Sequence, residues 1–297
     1  MNVLHICVEQ SGPSSSKNQN DENKNKRYLE ICKALLLDYP SKKLLDDDNV
    51  KQLLQACDNE KNTPLHLAVK ANNTEIFKCL LESCRNMKNT NPDEEKKKAT
   101  YGITEPRNRS GRTPLLECAK HNCTSFIEEI LSTKDNSRKW KTVLDHQLSD
   151  QDRMTCLHLA CSQEVVIYLL DYTDADPTIR TAKGYNCLDI AIAKHYPNIV
   201  KRLLEYSEWR TLMESAQYEG SDVPITPMRR LIISMPDIAY ELIDKRFTTS
   251  IGDEGQPKHL IKYDYTFIDD HYNICDWHPG ELLIIQRVLN TIISALK

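Results

Sequence analysis

Glycine is scarce, at eight in 297 residues, and none falls in a GxGxxG or GxxxxGK[ST] pattern. A backbone loop that cradles phosphates therefore has no sequence support. No two of the eleven cysteines are spaced CxxC, and residues 1–20 lack the basic start and apolar run of a secretory leader. The thiols accordingly read as reduced and cytosolic rather than as a disulfide framework. Long apolar runs are missing as well. The stretch Leu282 to Leu296 is broken by Gln286, Arg287 and Asn290 and is shorter than the roughly 20 residues that a bilayer crossing needs. Surplus positive charge is also lacking: the net charge is -4, which argues against non-specific nucleic-acid binding, whose phosphate-tracking domains are basic. Hydrophobic residues at 40% and charged residues at 28% are ordinary for a soluble chain, one long enough for an elongated array or two compact domains.

What is present is a repeated unit. In Thr63 to Ser83, TPLHLAVKANNTEIFKCLLES, a Thr-Pro start puts proline at the first helical position, where its missing N–H costs nothing. Leu65, Leu67 and Ala68 give that helix a narrow apolar face. Asn72 and Asn73 break it, and Ile76, Phe77, Leu80 and Leu81 supply a second helix. The order resembles the ankyrin signature T-P-L-H-x-A. A second-helix aliphatic follows the opening residue at one constant spacing in Thr63/Leu80, Thr113/Ile130 and Asn186/Leu203. Thr155 opens a further copy, TCLHLACSQEVVIYLLDY, with a turn about two residues shorter. The steps of 50, 42 and 31 between openings compare with a period of about 33. Loops over 86–106, with the charge run Asp93 to Lys98, and over 132–148 take up the excess.

Upstream, Asn2, Leu4, His5 and Cys7 fall on the signature positions, with a partner helix expected from Tyr28 to Leu37 after a polar, disordered insert at 12–26. An array that starts inside its first helix leaves an apolar edge uncovered, so the chain reads as the downstream part of a longer array or a truncated product. Downstream, Thr226 to Asp244 keeps the same register, Thr226/Ile243, and reads as a degenerate closing helix pair, with Pro236 starting its second helix. Lys262 to Tyr272, KYDYTFIDDHY, alternates like a strand and should fold back on the preceding helices; a final helix follows Pro279.

The expected fold is thus all-α: an ankyrin-repeat solenoid with a degenerate helical and short β C-terminal linker. The array takes 1–209, with a partial repeat at 1–40 and repeats near 59–84, 109–132, 151–180 and 182–209. A degenerate repeat and linker follow at 210–272 and an apolar helix at 273–297.

The succession TPMRRLIISMPDIAYELIDKRF, then KYDYTFIDDHY, resembles the segment that joins the cytosolic repeats to the first membrane helix in transient receptor potential channels of the ankyrin (TRPA) family. The resemblance covers roughly residues 1–272, and 226–272 carry most of its weight. It implies the cytosolic portion of a non-selective, calcium-permeable cation channel that couples a stimulus to gating. It also implies protein partners, a homo-oligomer if the chain is part of the channel, and a place on the cytoplasmic face of a membrane, attached only through missing segments. Two departures stand. Such channels continue into six membrane helices, whereas this sequence stops after one short apolar helix and by itself forms no pore. Their electrophile-sensing cysteines lie between repeats and membrane, where residues 210–297 hold only Cys275, so those roles are not carried over. The rival reading is a soluble, cytoplasmic adaptor gripping a protein at hairpin tips such as Asp58 to Asn62, Asn108 to Arg112 and Ala182 to Tyr185.

No enzyme is expected, since no acid, base and nucleophile converge. His5, His66 and His158 hold the fourth position of the motif, where an imidazole pins the turn through the Thr hydroxyl and backbone. The pairs Cys79/Cys84, Cys118/Cys123 and Cys156/Cys161 sit about 140° apart on a helix, suited to packing rather than chelation. Cys118, His121 and Cys123 lack a fourth ligand. His271, Cys275 and His278, beside Asp269 and Asp270, form a compact group that chance also produces. The expectation is therefore no catalytic, cofactor-binding or metal residue, no cofactor and no nucleic-acid partner.

Overall fold

The computed structural model describes residues 2–12, 19–36, 47–86, 106–131, 144, 152–160, 162–173, 175–216, 225–251, 260–264 and 266–267. The chain divides into two compact units, Met1–Ala175 and Asp176–Lys297. That division falls inside the stretch read as one array from sequence.

In the first unit, helices α1 (Val3–Gln10), α2 (Gln19–Leu36), α3 (Asp47–Gln55), α4 (Pro64–Lys70), α5 (Thr74–Asn86), α6 (Pro114–Lys120), α7 (Thr124–Leu131), α8 (Cys156–Leu159) and α9 (Gln163–Asp171) follow in order. The short first helices begin alike because their openers are alike. Thr63, Thr113 and Thr155 are extended N-caps, and Pro64 and Pro114 open their helices. First helices pack on first helices, α1 on α4, α4 on α6 and α6 on α8; α2 packs on α5 and α5 on α7. The second helix follows Thr155 sooner than it follows Thr63 or Thr113, because α8 has 4 residues where α4 and α6 have 7.

Positive backbone φ recurs at two places in the repeat. Lys61 (58°), Gly111 (71°), Arg153 (50°) and Gly184 (85°) each stand two residues before an opener. Asn72 (51°), Asn122 (59°) and His195 (55°) each stand nine after one, in the turn between paired helices. Asparagine suits that turn because its short polar side chain tolerates the left-handed region.

The core obeys the same register. Leu80, Ile130 and Leu203, the aliphatics at constant spacing from their openers, are 0% exposed. Between α5 and α7 the rings of Phe77 and Phe126 stack at 4.3 Å with an interplanar angle of 9°. The first copy reads Ile76-Phe77 and the next Phe126-Ile127, all fully buried, so a ring at the later position in one copy stacks on a ring at the earlier position in the next. At α1, by contrast, Val3 and Ile6 remain 51% and 48% exposed, while Pro64 and Pro114, at the position of Val3, are buried.

One expectation needs correcting. The insert read as disordered over 12–26 is helical from Gln19 onward, because Glu, Lys and Arg propagate a helix anchored by the buried Cys32 and Leu36. Asn25 further fastens it, accepting from the Gly12 amide at 2.8 Å and donating to the Gly12 carbonyl at 3.3 Å.

In the second unit, Asn186 caps α10 (Cys187–Ala193), followed by α11 (Pro197–Glu205), α12 (Trp209–Met213), α13 (Pro227–Ser234) and α14 (Pro236–Leu242). Thr226 caps α13, its hydroxyl accepting from Arg229 N at 3.2 Å, and Ile243, its counterpart in the register, is buried. A π-helical turn, Ile243–Phe247, leads into β1 (Thr248–Ile251), which pairs antiparallel with β2 (Leu260–Tyr263) in the register Thr248 to Tyr263. Of the segment read as a strand over 262–272, only Lys262 and Tyr263 lie in β2, and Thr266 and Phe267 form a turn. Its described residues do fold back on the helices, as Trp209 meets Phe247 and Phe267 at 5.7 and 6.0 Å, and Arg210 reaches Asp264 at 3.3 Å. The expected apolar helix over 273–297 lies outside the described residues, as do the loops at 87–105 and most of 132–148.

Candidate interaction surface

Three of the hairpin tips are closed by the residue five before the opener. The amides of Asp58, Asn108 and Thr181 donate to the carbonyls of Asn62, Arg112 and Tyr185 at 3.0, 3.0 and 2.8 Å. Their side chains accept in turn: Asp58 from the Glu60 and Asn62 amides at 2.8 and 2.7 Å, Asn108 from Ser110 and Arg112 at 3.0 and 3.1 Å, Thr181 from Tyr185 at 3.1 Å. These are the short polar types that fold back on their own turn. Burial opposes the charge on Asp58, yet bonds from Asn62 and Glu60 hold it below the usual carboxylate range.

The first two tips are joined. Arg109 N donates to Glu60 O at 2.8 Å and its guanidinium pairs with the Glu60 carboxylate at 3.2 Å. Beneath them lies Glu117, 0% exposed, accepting from Asn108 Nδ2 at 2.6 Å and Arg112 Nε at 3.0 Å, with His121 3.3 Å away. Asn62 Oδ1 takes bonds from Asn108 at 3.3 Å and Lys70 Nζ at 2.9 Å. Burial disfavours a charged Glu117, but the hydrogen bond and charge of Arg112, with Asn108 and Lys70, hold its carboxyl below the ordinary range.

The motif histidines act as ties. His66 Nδ1 accepts from Thr63 N at 3.2 Å and faces the Thr63 hydroxyl at 2.8 Å, so Nε2 carries the proton and donates to Arg112 O at 2.9 Å. His5 likewise joins Asn2 N to Asn62 O, at 3.2 and 3.0 Å. His158 repeats the Thr contact, with Thr155 N and Oγ1 at 3.1 and 2.8 Å. Burial drives the His66 pKa down to about 4, so the ring is neutral.

In the second unit Asp189 stands at the histidine position, 1% exposed. Its Oδ2 accepts from Asn186 N at 3.0 Å and Ser215 Oγ at 2.8 Å, while Asn186 Nδ2 donates to Leu212 O at 2.8 Å. Burial raises its pKa against the opposing pull of Asn186, Ser215, Arg230 and Arg180. Sequence reading missed the roles of Asp189, Ser215 and the tip closers. The signal for the closers was an Asp, Asn or Thr five residues before each opener.

The cysteines pack. Cys79, Cys84, Cys118 and Cys123 are buried, and Cys57 is exposed. Burial raises the thiols of Cys118 and Cys123 and pushes Cys187 up to about 12, a sign of inert structural thiols. Among the described residues, no three His, Cys, Asp or Glu side chains converge as a metal site requires, Cys118, His121 and Cys123 included. Cys161, and the group His271, Cys275 and His278, lie outside the described residues.

A family model for three copies of ankyrin repeats matches residues 23–142 and 139–211, well over half of the chain. The chain belongs to the ankyrin-repeat family. Ankyrin repeats are scaffolds for binding protein partners. The chain is 23% identical over 248 residues to the "Transient receptor potential cation channel subfamily A member 1 homolog" of Caenorhabditis elegans, a match covering 78% of this chain and 18% of that protein. It thus spans less than a fifth of the length of that curated relative. Among solved structures, the ankyrin repeat domain of Bcl-3, a member of the IkappaB protein family, is similar with a TM-score of 0.51 at 18% identity, over 82% of this chain and 86% of that one. At such identity the likeness establishes fold alone. Among the described residues, no helix is long and apolar enough to cross a membrane.

Proposed function

We propose that this ankyrin chain is a cytosolic repeat-and-linker portion of a TRPA-like, non-selective, calcium-permeable cation channel, which couples a stimulus on the repeats to gating elsewhere. One observation carries the reading: the match to the Caenorhabditis elegans protein takes in 78% of the chain, a larger share than residues 1–211 make up. It therefore extends beyond residue 211, where the match to the ankyrin family model ends. Stacked pairs transmit small rotations through nearest-neighbour interfaces, and the tips supply protein contacts, in a homo-oligomer on the cytoplasmic face of the membrane.

The soluble adaptor is the second reading, favoured by the charged tips. Full-length transcript sequencing together with immunodetection of the native product separates the two. Six apolar spans downstream and an integral-membrane product are expected. A soluble product of 34.3 kDa, from a transcript that ends after Lys297, would overturn the channel reading in favour of the adaptor.

A further inference from the structure

The first two tips of the first unit differ in charge from the chain as a whole. Over 58–73 and 107–122 the cations Lys61, Lys70, Arg107, Arg109, Arg112 and Lys120 outnumber the carboxylates Asp58, Glu60 and Glu117, in a chain of net charge -4. The carboxylates are also partnered within the tips, Glu60 in an exposed ion pair. Asp58 accepts from three groups of Glu60 and Asn62, Glu117 is wholly buried against Arg112 and Asn108, and Glu60 pairs with Arg109. What faces outward is positive on balance. Lys70 leans over the joined tips through its bond to Asn62, and Lys120 is exposed at the equivalent position of the next copy.

Two cations are held at a cost. Lys61 and Arg153 occupy the left-handed tip position where the tips before Thr113 and Asn186 use glycine. That backbone costs an L-residue about 1 kcal/mol relative to glycine. Solubility does not require a charge at that position, since any exposed neighbour could carry it.

We propose that the tip side of the first unit binds an acidic, extended protein segment whose carboxylates recur about every third residue. Helices that pack directly lie about 8–10 Å apart, and α4, α6 and α8 pack in succession. A polyproline-type strand returns to the same face every three residues, about 9 Å along its axis, so successive carboxylates meet the joined tips before Thr63 and Thr113. A nucleic acid fits less well, because the overall negative charge repels a long polyanion away from this one face.

This inference rests on reading the tips as the partner-binding face, and it deepens that reading by naming the partner's chemistry. The test is fluorescence anisotropy of a labelled Glu-Pro-Pro repeat peptide against the full chain, with a Lys-Pro-Pro peptide and an oligonucleotide of equal charge as controls. Saturable binding of the glutamate peptide alone is expected, weakened about tenfold in K61G/K120Q and by added salt. Both substitutions lie on the surface, and the first relieves strain, so the variant folds. Three results would each overturn the proposal: no saturable binding of the glutamate peptide, equal binding of the oligonucleotide, or undiminished binding in the variant. The reading of the tips as a partner face fails separately, if crosslinks between the native chain and its bound partners fall outside them.

Discussion

The copies that open at Thr63 and at Asn186 solve one problem with opposite chemistry. In the first unit His66 gathers the Thr63 amide and hydroxyl on one ring nitrogen and donates to the Arg112 carbonyl with the other. His5 meets the Asn62 carbonyl in the same way, so this tie can be repeated from copy to copy. In the second unit Asp189 can only accept, and a carbonyl would repel it. It takes the Ser215 hydroxyl instead, beyond α12. A donor tie continues a stack, whereas an acceptor tie needs a purpose-built neighbour and so marks a place where the repeat gives way to something else.

The contrast is broken most sharply at His66. His66→Ala leaves the Thr63 amide, its hydroxyl and the Arg112 carbonyl without their partner and opens a cavity; a loss of about 3 kcal/mol is expected in urea unfolding. Asp189→Ala removes a charge that burial disfavours as well as two bonds, so its cost is smaller, about 1–2 kcal/mol by the same measurement. Parity between the two would undo the contrast.

The pH responses have opposite signs. His66 titrates near 4 when folded and at its ordinary 6.5 when unfolded. The unfolded chain takes up the proton first, so stability falls as pH drops from 6.5 towards 4, by at most about 3 kcal/mol. Asp189 has a raised folded value against an ordinary 3.8. Its contribution is intact below 3.8 and is lost as pH rises through the folded value. Hydrogen exchange followed against pH in each unit tests this: protection around His66 should weaken on mild acidification, and protection around Asp189 should not. Asp189→Asn should flatten the second response.

Smaller effects sharpen the picture. Lys61→Gly should stabilise the first unit by about 1 kcal/mol, seen as a raised melting temperature alongside the weakened peptide binding. In the second unit Glu241 bridges Lys201 and Lys245 at 2.7 Å each in an exposed cluster, and Glu241→Gln should leave the melting temperature unchanged because solvent screens such pairs.

Much of this fold is legible from residue types alone. Thr-Pro or Asn at the opener, an aliphatic at a constant spacing after it and asparagine between the helices are each dictated locally, by capping, burial and backbone preference. The helical start at Gln19 was not, because its polar residues have no apolar face; their helicity is borrowed from the Cys32 and Leu36 end. Helix α3, helix α12 and strand β1 went unread for similar reasons, being short and dependent on neighbours distant in sequence. At the candidate surface the tips were legible as ranges. The buried Glu117 linking two of them was not, since nothing local distinguishes it from a solvated glutamate, and Ser215 as partner of Asp189 lies 26 residues away.

The reversed order of Ile76-Phe77 and Phe126-Ile127 makes adjoining copies mates rather than duplicates. Tandem copying of one repeat at this point would set like against like, crowding one flank and hollowing the other. Copying the two together would preserve the fit, so an array of this kind can lengthen or shorten by pairs more readily than by single modules.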